Sequence, residues 1–286
     1  MLNDAGHFTD DRIPLPAEES AYRCRLIGKG ELAGMDDLFS LHRRKAVVTG
    51  GSRGIGAAIV ELFSRYGAEV AFCHHNDGKR AEALQGKLKA LGKVVFETEC
   101  DVADEAAVSR MSAWAMERLG HVDILVNCAG IGGDRPFSDL SIAEWDRMIG
   151  VHLRGTFLVS HAFYPGMMER RDGRIINIAS QLAYKGAPGL THYCAAKAGI
   201  VGFTRALSYE GAPHGVLVNA IGPGPVETDL LMGLSEEWRA MKRSQLPIGR
   251  FGKVDEIAPT ALLLASNAGA YFVGQTLSPN GGDVMI

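Results

Sequence analysis

Thr49-Gly50-Gly51-Ser52-Arg53-Gly54-Ile55-Gly56 follows a short β-branched run, Lys45–Thr49, and opens an amphipathic stretch from Gly54 to Tyr66. A strand that turns through glycines into a helix points backbone N–H groups and the helix N-terminus at an anion, where a Cβ would obstruct close approach. The spacing is Gly-x-x-x-Gly-x-Gly, unlike the commoner Gly-x-Gly-x-x-Gly dinucleotide fingerprint. Position therefore carries as much as spacing: the loop sits after the first strand of a βαβ unit.

Outward from this loop the chain alternates. Val70–Cys73, Val94–Thr98, Ile124–Val126, Arg174–Ile178 and Leu217–Ile221 are short and rich in β-branched residues, as strands buried on both faces are. Amphipathic stretches separate them, at about Lys79–Leu91, Glu105–Leu119, Ile142–Arg170 and His192–Ala212. Strand and helix in strict alternation predict a doubly wound parallel sheet, a three-layer α/β/α Rossmann arrangement with right-handed crossovers. One domain over 41–286 suits this length. Residues 1–40, interrupted by Pro14 and Pro16, read as an arm or disordered leader, with Met35 a candidate biological start. Residues 223–247 start with Gly and Pro, continue helically, and read as a segment covering the site beyond the sixth strand.

Bulk properties exclude several classes. A formal net charge of −3 gives no reason to expect nucleic acid or a membrane surface as partner. No apolar run reaches transmembrane length, and no basic n-region precedes an apolar stretch, so neither a membrane span nor a secretory signal is expected. Cys24, Cys73, Cys100, Cys128 and Cys194 are an odd, widely spaced set; they predict a reducing, cytoplasmic setting, with no disulfide framework and no metal site.

The adenosine end is read from the second strand. Selection of NAD would usually place an acid about 20 residues beyond the loop. Here the strand ends Phe72-Cys73-His74-His75-Asn76, with no acid before Asp77, while Arg53 stands in the loop where a guanidinium could meet a 2′-phosphate. This favours NADP(H), with NAD(H) left open.

Tyr193 and Lys197 are four apart at the start of a helix and so project from one face. A nearby ammonium and the positive ring of an oxidised nicotinamide both favour the phenolate. Lowering a tyrosine by about three units needs roughly 4 kcal/mol, which requires a partly desolvated cleft. Ser180, at a strand end, could hold a substrate oxygen against the tyrosine.

From about residue 42 to 283 the chain resembles the short-chain dehydrogenase/reductase family. The resemblance rests on Gly50, Gly54 and Gly56; on Asp101-Val102 after the third strand; on Asn127-Cys128-Ala129-Gly130 after the fourth; on Ser180, thirteen positions before Tyr193; and on Lys197. Pro223-Gly224-Pro225-Val226-Glu227-Thr228 resembles the family's stretch that holds the nicotinamide carboxamide. The resemblance implies Tyr193 as general acid or base, Ser180 as the carbonyl orienter and Lys197 as ribose ligand and modulator of the tyrosine. It implies Asp101 and Val102 at the adenine, with Ser52, Ile55, His74, His75, Cys128, Ala129, Gly130, Pro223, Gly224, Val226 and Thr228 among the remaining cofactor contacts.

Two departures stand out. Cys128 replaces the second Asn of the family's Asn-Asn-Ala-Gly, and His152 replaces the helix Asn of a water relay. Imidazole donates at one nitrogen and accepts at the other, so His152 is either a relay member or a packing residue. The family look is nearest to 3-oxoacyl thioester reductases, with sugar and small alicyclic alcohol dehydrogenases as alternatives. A silent dinucleotide-binding regulator would be expected to lack Ser180, Tyr193 or Lys197. Arg154, Arg170, Arg171 and Arg174 could dock an acidic carrier protein, but read better as solvated surface charges. The pocket should include Leu182, Ala183, Tyr184 and Leu190 and carry few charges. Homotetramers or homodimers built through helices 142–170 and 192–212 would follow the family habit.

Overall fold

The computed structural model describes residues 38–285. Residues 1–37 of the expected leader, with the Met35 start and Cys24, therefore lie outside the described residues.

Seven parallel strands form one sheet in the order β3-β2-β1-β4-β5-β6-β7. They are β1 Lys45–Thr49, β2 Glu69–His74, β3 Val95–Glu99, β4 Ile124–Asn127, β5 Gly173–Ile178, β6 Val216–Ile221 and β7 Thr276–Leu277. Six match the sequence expectation to within a residue or two. The seventh, two residues long, carries too little periodicity to be seen in the sequence.

The helices that flank the sheet are α1 Gly54–Arg65, α2 Gly78–Ala90, α3 Glu105–Leu119, α4 Ile142–Ile149, α5 Gly155–Arg170, α6 Leu182–Lys185, α7 Thr191–Gly211, α8 Asp229–Met232, α9 Glu236–Gln245 and α10 Val254–Ala265. Alternation along the strands sends side chains to two cores. Ala46 and Val48 pack with Ile59 and Phe63 of α1, Leu84 of α2 and Ile257 of α10. Val47 and Leu125 pack with Met111 of α3 and with Val159 and Phe163 of α5 on the other face.

The stretch expected as one helix over Ile142–Arg170 is interrupted by a turn of π-helix, Gly150–Arg154, which carries His152. The Thr156 hydroxyl donates to the main-chain carbonyl of His152 at 2.7 Å, taking up an acceptor that the irregular turn exposes.

The order in which strands are added across the sheet reverses between β1 and β4, and this switch point opens a crevice at the carboxyl ends of the strands. The glycine loop, the Asn127–Gly130 turn, Ser180 and the stretch from Pro223 all leave the sheet at that end. No described helix is long and apolar enough to cross a membrane.

Candidate active site

The glycine loop is built for close backbone approach. Gly50 has φ +67°, and a Cβ on it would lie 2.8 Å from Ala129 Cα; a Cβ on Gly56 would overlap the carbonyl oxygen of Gly50. Arg53 occupies the N-cap of α1 without a side-chain cap, so the first N–H groups of the helix face the crevice unsatisfied by this residue. An uncapped helix end beside a side-chain-free turn fits the pyrophosphate of a dinucleotide.

The Thr49 hydroxyl joins this loop to the next. It accepts from the main-chain N–H of Cys128 at 3.0 Å and of Ala129 at 3.1 Å. Asn127 is committed elsewhere: its buried amide donates to Ser160 Oγ at 2.9 Å and to Asn177 Oδ1 at 2.8 Å. Asn177 in turn donates to Thr204 Oγ1 at 2.9 Å, which ties β4 and β5 to α5 and α7. Sequence reasoning missed Ser160, Asn177 and Thr204, whose partners are remote in the chain. Cys128 is half-buried, and desolvation pushes its thiol up to about 12, so it stays protonated.

At the adenosine end, Ser52 Oγ donates to Asp77 Oδ2 at 2.7 Å, and Arg53 Nε stands 3.8 Å from the same oxygen. Arg53 also lies 3.7 Å from Asp229 of α8, which pairs with Arg80 at 2.5 Å. The His74 ring is buried against Glu97, Nε2 to Oε2 at 3.0 Å, and only His75 of the pair is exposed. Asp101 accepts from Ala103 N–H at 3.0 Å and from Arg147 at 2.7 Å, while Val102 is buried. Thr228 crosses above the glycine loop, its Cγ2 3.5 Å from where a Cβ on Gly54 would be.

Ser180, Tyr193 and Lys197 converge. Ser180 lies near enough to Tyr193 to favour its phenolate, and Lys197 Nζ lies 5.6 Å from the centre of the Tyr193 ring. The Lys197 ammonium is buried and donates to the carbonyl of Ile178 at 2.6 Å. Burial brings it down to about 8. Burial also raises the Tyr193 phenol above its ordinary value, with Ser180 acting in the opposite sense, so the tyrosine is held as a phenol.

His152 lies edge-on to Tyr193, ring centres 5.3 Å apart. Its Nε2 is 2.9 Å from the carbonyl oxygen of Ile131 and 3.1 Å from that residue's N–H. Its Nδ1 is buried without a partner among the described residues. Burial, then Lys197, depress the imidazole to about 3, so it is neutral.

One expectation needs correction. Arg174 is not a solvated surface charge: it is buried, 3.5 Å from Asp172, which also pairs with Arg44. Arg170 donates to the carbonyl of Val122 at 2.5 Å and Arg154 to that of Ala103 at 2.6 Å, so neither is a bare docking charge. A charged cluster adjoins the segments expected to wall the pocket. Lys185, Lys242 and Asp283 meet there, a cluster whose members are too far apart in sequence to suggest one another.

A parallel sheet with a dinucleotide crevice at its switch point and this polar set beside it defines an NAD(P)-dependent oxidoreductase of alcohols or ketones. Residues 50–283 match the family model described as enoyl-(acyl carrier protein) reductase. The chain is 37% identical to a 3-oxoacyl-(acyl-carrier-protein) reductase of Aquifex aeolicus, covering 85% of this chain and 98% of that one. It is 40% identical to an acetoacetyl-CoA reductase of Allochromatium vinosum, covering 84% and 98%. A solved short-chain dehydrogenase/reductase of Serratia marcescens superposes with a TM-score of 0.81 at 35% identity, covering 85% and 98%. The chain belongs to the short-chain dehydrogenase/reductase family.

Proposed function

We propose that this enzyme reduces a 3-oxoacyl thioester with NADPH, using Tyr193 as proton donor. The observation that carries the reading is the buried Lys197 ammonium 5.6 Å from the centre of the Tyr193 ring, with Ser180 beside the phenol. A phenol kept protonated by burial is the form that donates when a carbonyl oxygen gains charge. Ser180 would hold that oxygen within reach of the tyrosine, and Lys197 would stabilise the phenolate left behind. When bound, the reduced dinucleotide supplies the hydride. The Gly50–Gly56 loop, the Asn127–Gly130 turn and the Pro223–Thr228 stretch would hold it. Relatives named 3-oxoacyl-(acyl-carrier-protein) reductase and acetoacetyl-CoA reductase support the substrate class.

His152 suits a neutral relay. If Nε2 accepts from the Ile131 N–H, Nδ1 carries a proton to donate; if Nε2 donates to the carbonyl, Nδ1 is a free acceptor. The unpartnered Nδ1 supports this reading over packing alone.

Arg53, more than half exposed beside the loop, supports NADP(H), and a 2′-phosphate would compete with Asp77 and Asp229 for it. Exposed Phe157 on α5 and Tyr209 on α7 support assembly into a homotetramer or homodimer through these helices. Free Cys73, Cys100, Cys128 and Cys194 support a cytoplasmic setting. The test is a panel of 3-oxoacyl thioesters, sugars and alicyclic ketones or alcohols, followed by cofactor absorbance with both nicotinamides. The reading expects acetoacetyl-CoA with NADPH to give the highest kcat/KM, and a preference for sugars or for NADH would overturn it.

A further inference from the structure

The two walls of the cleft meet the C-terminal segment at one carboxylate. Asp283 has a side chain only 2% exposed. Its Oδ1 accepts from Lys185 Nζ at 2.6 Å and from Lys242 Nζ at 2.9 Å. Its Oδ2 accepts from Lys242 Nζ at 2.7 Å and from the Gln181 amide. Lys242 belongs to α9 in the covering segment, Lys185 ends α6, and Gln181 directly follows Ser180.

The segment that carries Asp283 is itself fixed. Gly224 N–H donates to Pro279 O at 3.1 Å, and Ser278 Oγ donates to Gly222 O at 2.7 Å. Ile248 N–H donates to Gly281 O at 3.2 Å, where the chain returns from α9. The Gln181 side chain has no other anchor, since its Oε1 is buried without a partner among the described residues. A buried carboxylate is tolerated because its oxygens are occupied by charged and amide donors. Removing it leaves two ammoniums facing each other and frees the amide beside Ser180.

We propose that Asp283 is a positioning residue, a clamp that holds the covering helix α9 to the turn after Ser180 and thereby sets the width of the substrate cleft. The proposal rests on the reading of Ser180 as the residue that meets the substrate oxygen. Opening of α9 breaks the Lys242–Asp283 pair, while Lys185 and Gln181 stay with the carboxylate. Substrate entry and product release therefore pass through this one contact.

The test compares the wild type with D283N, K242M, K242R and D283N/K242M, using acetoacetyl-CoA and NADPH as probes. K242M carries the test should D283N fold poorly. Exchange of the α9 amides, Glu236–Gln245, is followed by hydrogen–deuterium exchange without substrate. D283N and K242M are expected to raise KM for acetoacetyl-CoA by about tenfold or more, with a smaller fall in kcat and unchanged NADPH affinity. The double variant should be no worse than the worse single one, K242R should recover most of the loss, and α9 exchange should quicken in K242M. Unchanged α9 exchange in K242M, or independent effects of the two substitutions, overturns the clamp. Y193F is the control for the site itself: if it retains turnover the site reading fails, while the exchange data still judge the clamp.

Discussion

Gly130 and His152 share one space: a Cβ on Gly130 would lie 2.5 Å from Cε1 of His152. The imidazole reaches the flank of Tyr193 only because residue 130 has no side chain. Gly130→Ala should therefore push the ring off Ile131 and cost about 1–3 kcal/mol, as overpacking does. The companion G130A/H152A should be no less stable than H152A alone. Thermal unfolding of the three variants checks this, and a further stability loss in the double variant would contradict it.

His152 is neutral down to about 3, so the relay proposed for it involves no change of charge near neutrality. His152→Ala should lower kcat about tenfold while leaving KM for the carbonyl nearly unchanged. The wild-type profile of kcat against pH should show no step near the ordinary histidine value of about 6.5. An unaltered kcat in H152A would leave only packing for this residue.

Lys197 sets activity against stability. Its folded value, about 8, lies below the ordinary 10.5, so between the two the folded chain binds fewer protons than the unfolded one. Stability therefore rises as pH climbs through that interval. Lys197→Met should abolish turnover yet stabilise the fold at neutral pH by about 3 kcal/mol, the free-energy equivalent of that depression. It should also flatten the rise in stability above pH 8. Denaturant midpoints at neutral and alkaline pH measure both.

Tyr193→Phe removes the proposed proton donor but keeps the ring against His152. Turnover should fall by about 10²–10⁴-fold with folding intact. Steady-state rates and near-ultraviolet circular dichroism separate the two effects.

Arg53 stands between two carboxylates and a prospective 2′-phosphate. Arg53→Ala should lower kcat/KM with NADPH at least about tenfold and change it little with NADH. Asp77→Asn should move the ratio the other way, since it removes a negative charge next to the same guanidinium. Equal losses with both cofactors would remove Arg53 from cofactor choice.

The sheet and its crevice were legible because β-branched runs and glycine turns are local signals, and Ser180, Tyr193 and Lys197 because their spacing is fixed along the chain. Other features were hidden for physical reasons. Helix α10 contains Pro259, a residue that reads as a break, yet Ile257, Ala258, Ala261 and Leu262 bury against the sheet and sustain it. The π turn at His152 uses ordinary helix-compatible residues, so nothing in Gly150–Arg154 announces it. Asp283 meets Gln181, Lys185 and Lys242 only after folding, and no local pattern links residues 41 to 102 positions apart.

The outer strands of the sheet have a consequence for handling the protein. One edge, β3, carries Glu97 and Glu99, and the other, β7, is only two residues long. A charged rim and a stub are both poor templates for a further strand. Growth of the sheet from molecule to molecule is thereby discouraged at each end. Concentrated preparations should give discrete species of fixed mass instead of fibrils, even where helical faces associate.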